Sequence, residues 1–166
     1  ELTIKDVAAV PDMCAMLHRF DVRSVNVTDT AKDVDPVAIG RALREHDPSL
    51  DVMVHIATKH HDRVSYMRSV ERTLDGGIRK LLVVSGHPRV EFDALAALDE
   101  LDASGFGVEA YVAYNPFLKD EAMQAENERL ARKLASGMLS GICLQMGTDL
   151  AAIATGVTIH IARMRG

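Results

Sequence analysis

The stretch "KLLVVSGHPR", residues 80–89, opens with a cation, runs through four aliphatic residues and breaks at Ser85-Gly86-His87-Pro88. Four consecutive apolar residues predict a strand buried on both faces, and Gly-His-Pro cannot continue one. Similar segments recur along the chain. The sequence predicts strands at Leu2–Ile4, Val22–Val27, Val52–Ile56, Val108–Val112, Gly141–Leu144 and Val157–Ile161 in addition to Lys80–Val84. Helical periodicity lies between most of them, over Val37–Glu45, Arg63–Leu74, Phe92–Leu101 and Lys119–Met138. In the last of these, acids stand first (Asp120, Glu121) and bases later (Arg129, Arg132, Lys133), which suits the helix dipole, and Gly137 supplies a stop.

Strands alternating with helices predict an α/β fold with a parallel sheet. The strand repeat of roughly 25–30 residues fits an open doubly wound sheet or a (β/α)8 barrel. No Gly-x-Gly-x-x-Gly turn follows any strand, which disfavours a dinucleotide-binding open sheet. The expectation is therefore one (β/α)8 TIM-barrel domain over residues 1–166, incomplete at its C-terminus, because only 17 residues follow Asp149.

Bulk properties narrow the function. The 166 residues are 48% apolar and 26% charged, with a net charge of −5 and no basic stripe, so nucleic acid is not an expected partner. The 4% aromatic content, without Trp, also argues against a base-stacking platform. Apolar runs fall far short of the ~20 residues of a membrane helix, and no signal peptide is seen. Cys14 and Cys143 are isolated, as in a reducing cytoplasm. Parallel α/β folds collect their chemistry where strands end. Those positions hold Thr28-Asp29, His55, Ser85-Gly86-His87, Tyr114-Asn115-Pro116 and Gln145, with Glu1 leading the first strand. This set is small and polar, lacks a glycosidase-type carboxylate pair, and suits a flat, heteroatom-rich ligand.

Several landmarks come in one order: "ELTIKD" (1–6), "VNVTD" (25–29), "MVHIAT" (53–58), "GIRKLLVVSGHP" (77–88), "VAYNP" (112–116), "ERLARKLASG" (128–137) and "ICLQMGTD" (142–149). In that order the chain resembles the methylenetetrahydrofolate reductases over nearly all of residues 1–149. The resemblance implies a (β/α)8 barrel that holds FAD across the strand ends. NADH or NADPH reduces the flavin, which passes hydride to a folate one-carbon adduct. By position it implies Glu1 as the catalytic acid, Gln145 holding the folate substrate's pterin, and Thr28, His55 and Tyr114 lining the flavin. Ser85, Gly86 and His87 would form the turn beside the flavin, and Lys133 would meet the cofactor phosphates.

The chain departs from the family at that turn, where Arg-Gly-Asp is replaced by Ser85-Gly86-His87. An imidazole supplies no permanent negative charge beside a flavin, so FAD is expected to bind weakly or not at all. A divergent member that binds a folate-like ligand without redox chemistry is one rival reading. A metal-dependent hydrolase using His55, His87 and His160, with no His-x-His on the first strand, is the other. The partner is expected to be a small folate, with no membrane, in a cytoplasmic protein for which a homo-oligomer stays open.

Overall fold

The structure is a computed structural model that describes residues 6–29, 34–85, 91–145 and 147–155. It is an α/β fold. A short 3-10 turn precedes α1 (Val10–Arg19), followed by β1 (Ser24–Val27), α2 (Pro36–His46), β2 (Asp51–Ala57), a second 3-10 turn over Thr58–His60, and α3 (Arg63–Asp75). Then come β3 (Lys80–Val84), α4 (Ala94–Ser104), β4 (Glu109–Tyr114), α5 (Asp120–Ala135) and β5 (Leu139–Leu144). Residues 150–155 are helical again. The expected strands at Leu2–Ile4 and Val157–Ile161 lie outside the described residues, as do Glu1, Gly86, His87 and His160.

The five strands form one sheet in the order β1-β2-β3-β4-β5, and every neighbouring pair is parallel. A doubly wound sheet reverses its strand order at a switch point, and this one does not. Parallel neighbours need crossovers, which are right-handed almost without exception, so an unreversed order puts the helices on one face. The packing agrees: α1 meets α2, α2 meets α3, α3 meets α4 and α4 meets α5, in a single layer.

Aspartates start most of the helices. The Asp35 carboxylate accepts from Val37 N at 3.0 Å and Ala38 N at 3.2 Å, with Pro36 at the first helical position of α2. Asp62 forms a reciprocal capping box with Ser65 at α3, and Asp93 accepts from Leu95 N and Ala96 N at α4. Each satisfies backbone donors that a first turn would otherwise leave open. α1 has no such signal: no side chain caps it, and the sequence set no bounds for it. Its spacing of Val10, Cys14 and Leu17 nevertheless buries one stripe against α2.

Strand alternation divides the sheet. Val27, Val54, Leu81 and Ala110 are aligned by register and are all 1% exposed or less, under the helices. α2 reaches this row through Gly40. A Cβ there would stand 2.7 Å from Val54 Cγ2 and 3.1 Å from Ile78 Cδ1, so helix and sheet meet backbone to side chain. Because buried Val54 is branched at Cβ and cannot swing aside, Gly40→Ala is expected to cost about 1–3 kcal/mol in urea unfolding.

Between α2 and β2 a buried carboxylate organises the turn. Asp47 accepts from Ser49 Oγ at 2.6 Å and Ser49 N at 3.0 Å, and meets His18 Nε2 at 2.6 Å. The Ser49 hydroxyl and then His18 hold its pKa down at about 2. A carboxyl whose folded pKa is depressed contributes stability above its ordinary value and loses it as pH falls toward the depressed one. Urea midpoints measured from pH 6 down to pH 2.5 are thus expected to show Asp47→Asn least stable relative to wild type at pH 6. The gap should close progressively below about pH 4. A gap that does not change with pH would remove the ionised carboxylate from the explanation.

Candidate functional site

The face without helices is graded along the strands. At its N-terminal end a polar ladder crosses four strands. Ser24 Oγ donates to Asp51 Oδ2 at 3.3 Å, Lys80 Nζ pairs with the same oxygen at 2.7 Å, and Tyr111 Oη donates to Glu109 Oε2 at 3.3 Å. Glu109 stands directly beside Lys80 in register. The hydrogen bond that Lys80 donates to Asp51 raises the Lys80 pKa, keeping the ammonium charged.

Toward the strand C-termini this face opens into a cavity of about 630 Å³. Leu82, Val84, Ala113 and Cys143 supply apolar lining; Asn26, His55, Asn115, Glu126 and Gln145 supply polar groups. Such a mixture, at the carboxyl ends of parallel strands, is the usual make-up of a small-molecule site. The volume accommodates one flat ring system with its near substituents. Burial pushes the Cys143 thiol pKa up, so Cys143 stands in the wall as a neutral thiol at neutral pH.

Period-two alternation explains who faces the cavity. His55 shares a row with Leu82 and Tyr111, and Gly141 stands next to Tyr111 on β5. A Cβ on Gly141 would lie 2.7 Å from Tyr111 Cε1, so the absent side chain lets the tyrosine ring lie across β5. The loop after β4 is fixed by α5. Asn115 N donates to Glu126 Oε1 at 3.3 Å, and Arg129 grips Glu126 Oε2 through Nε at 3.0 Å and a terminal nitrogen at 2.7 Å. Asn115 Oδ1 in turn accepts from Phe117 N at 3.0 Å.

The site residues expected from the sequence divide accordingly. His55, Tyr114 and Gln145 come together around the cavity. Gln145 is exposed at its rim, with its N–H donating to the Tyr114 carbonyl at 2.9 Å. Thr28 is buried just past β1 and does not line it. Ser85 acts as a tie: its hydroxyl accepts from Ala94 N at 3.1 Å at the start of α4, and its carbonyl accepts from Lys59 N at 3.2 Å. Lys133 is only 9% exposed, lies in the helix layer outside the cavity, and its ammonium makes no hydrogen bond or ion pair with the described residues. Burial pushes its pKa down, with Glu126 acting the other way, and Asp93 at the start of α4 is also within electrostatic reach. Among the described residues no group of three or more His, Cys, Asp or Glu is placed to hold a metal. Nor is any helix among them long and apolar enough to cross a membrane.

Asn26 and Glu126 are lining residues that the sequence did not single out. Asn26 had a signal, a polar side chain between Val25 and Val27 on an alternating strand. Glu126 had none, because its contact with Asn115 joins a helix to a loop eleven residues away.

Tyr114 lines the cavity, yet its hydroxyl donates to Asn127 Oδ1 at 2.8 Å on α5. Tyr114→Phe is therefore expected to lower stability by about 1 kcal/mol in urea unfolding while leaving ligand affinity within twofold. A large loss of affinity at unchanged stability would instead put the hydroxyl on the ligand. No protein-family model matches the chain, and no curated protein matches it.

Proposed function

We propose that the sheet is part of a (β/α)8 barrel whose strand C-termini hold a folate-type ring, and that the chain is a divergent methylenetetrahydrofolate reductase-like oxidoreductase. The observation that carries this reading is the convergence of His55, Tyr114 and Gln145 on one cavity over an apolar floor. These three come from separate landmarks of the resemblance and are far apart in sequence. The unreversed strand order and the single helix layer support the barrel.

A pterin or isoalloxazine has donors and acceptors along its edge and apolar faces. Its faces suit Leu82, Val84 and Ala113, and its edge suits Asn26, His55, Asn115 and Gln145. A bound flavin, once reduced by NADH or NADPH, would supply hydride to the folate adduct; without flavin the hydride would come directly from the nicotinamide. The cavity takes one ring system, so the remainder of a dinucleotide would have to run outside it. Lys133 on α5, placed at the phosphates by the resemblance, is proposed to meet them there. Glu1 is proposed as the acid on the folate.

Ser85 favours a second reading, binding without flavin redox chemistry. Its hydroxyl is engaged with the start of α4, so the residue at this position supplies no cation to balance a reduced flavin. The visible absorbance of the freshly purified protein, followed by titration with a reduced folate, separates the two. Little or no flavin is expected as purified, with saturable folate binding. Gln145→Leu should weaken that binding several-fold to about tenfold, less than for a dry pocket because the side chain stands at an exposed rim. Stoichiometric FAD would restore the flavin mechanism, and absence of folate binding would remove both readings.

A further inference from the structure

The helix side of the sheet carries another cavity, of about 380 Å³, between the first turn of α2, the turn after β2 and the middle of α3. It shares no lining residue with the larger cavity. We propose that it is a second ligand site, for a small aromatic cation or another flat ring carrying N–H donors. The inference does not depend on the folate reading.

Apolar surface comes from Val37 and Ile56, both 2% exposed or less. Charge comes from Asp29, Asp35 and Arg72. Asp35 is consumed twice, as the cap of α2 and as the partner of Arg72, so these two cancel. Asp29 gives one oxygen to Ala57 N at 2.9 Å. Its other oxygen has no hydrogen-bond partner among the described residues. His61, half-buried against the edge of Tyr66 with ring centroids 6.4 Å apart, offers a neutral aromatic wall, because burial lowers its pKa.

The walls thus combine one unmatched carboxylate, an imidazole and an aliphatic floor. That is the complement of a ring bearing a cationic or N–H-rich group, since the remaining Asp29 oxygen can accept from an N–H donor in a short, charge-assisted bond. An anion is disfavoured, because Arg72 is already matched and Asp29 would repel it. The volume lies at the small end of ligand sites, which limits the occupant to about one substituted ring.

The test uses benzamidine as the probe and benzoate as an anion of the same shape, followed through methyl NMR signals of the whole chain. Benzamidine is expected to move the Val37 and Ile56 signals saturably, with millimolar or tighter affinity, while Leu82 and Val84 in the other cavity stay still. Benzoate should move none of them. Asp29→Asn, which keeps an oxygen for Ala57 N, should weaken benzamidine at least tenfold, and Ser69→Leu should block it by filling the space. Failure of benzamidine to saturate, equal binding of benzoate, full binding by both variants, or shifts centred on Leu82 and Val84 would each overturn the assignment.

Discussion

Consecutive parallel pairing is the constraint from which the rest follows. Each strand must be reached by a return across the sheet, and the returns all lie on one side. That side becomes dry, with Val27, Val54, Leu81 and Ala110 sealed in one row. Gly40 sets how closely the layer seats, because any side chain there would hold α2 off Val54. The opposite side is not covered by helices α1–α5 and holds the larger cavity. The division of labour between faces is thus a consequence of connectivity, before any functional residue is considered.

On the free face, polarity is sorted along the strands. The ladder from Ser24 through Asp51 and Lys80 to Glu109 and Tyr111 occupies the N-terminal end. Its ion pair is partly exposed, and pairs of that kind are worth about 0–1 kcal/mol, so it is not what holds the sheet together. Its effect is spatial. With Asp51, Lys80 and Glu109 at one end, the apolar lining of Leu82, Val84, Ala113 and Cys143 stands at the other, where the lining carboxylate Glu126 is paired with Arg129.

Much of this was legible in the residues. Lys80–Val84 has the same bounds in sequence and structure, its unbroken aliphatic run serving the core with Leu81 and Val83 and the cavity lining with Leu82 and Val84. His55 was legible because alternation on β2 fixes its face once Val54 and Ile56 are inside. Ser85 and Lys133 were less so. A serine at a strand end reads equally as a pocket residue or as a local tie, and only the distance to Ala94 N decides. A lysine near the end of an amphipathic helix reads as solvated, but Lys133 stays buried beside Leu130. The helix α1 escaped a bounded assignment because it lacks a capping side chain and depends on α2 for its burial.

The cavity's two sides differ in what a hydrogen bond there can be worth. β2 lies between two strands and beneath helices, and its alternate residues are fully buried. β5 is the last strand among those described, and none of its residues is buried. A polar contact made by His55 therefore forms in a drier, lower-dielectric setting than one made by Gln145, which must compete with water. The same ligand edge would be held more strongly by the imidazole than by the amide. His55 and Ile56 are also consecutive residues of β2 that face opposite cavities. Asp29, in the wall of the smaller one, holds the backbone N–H of Ala57 immediately beyond them. The end of β2 is thus shared by both cavities, as is the end of β1 through Asn26 and Asp29, and its rigidity rests on a carboxylate as well as on the strand ladder.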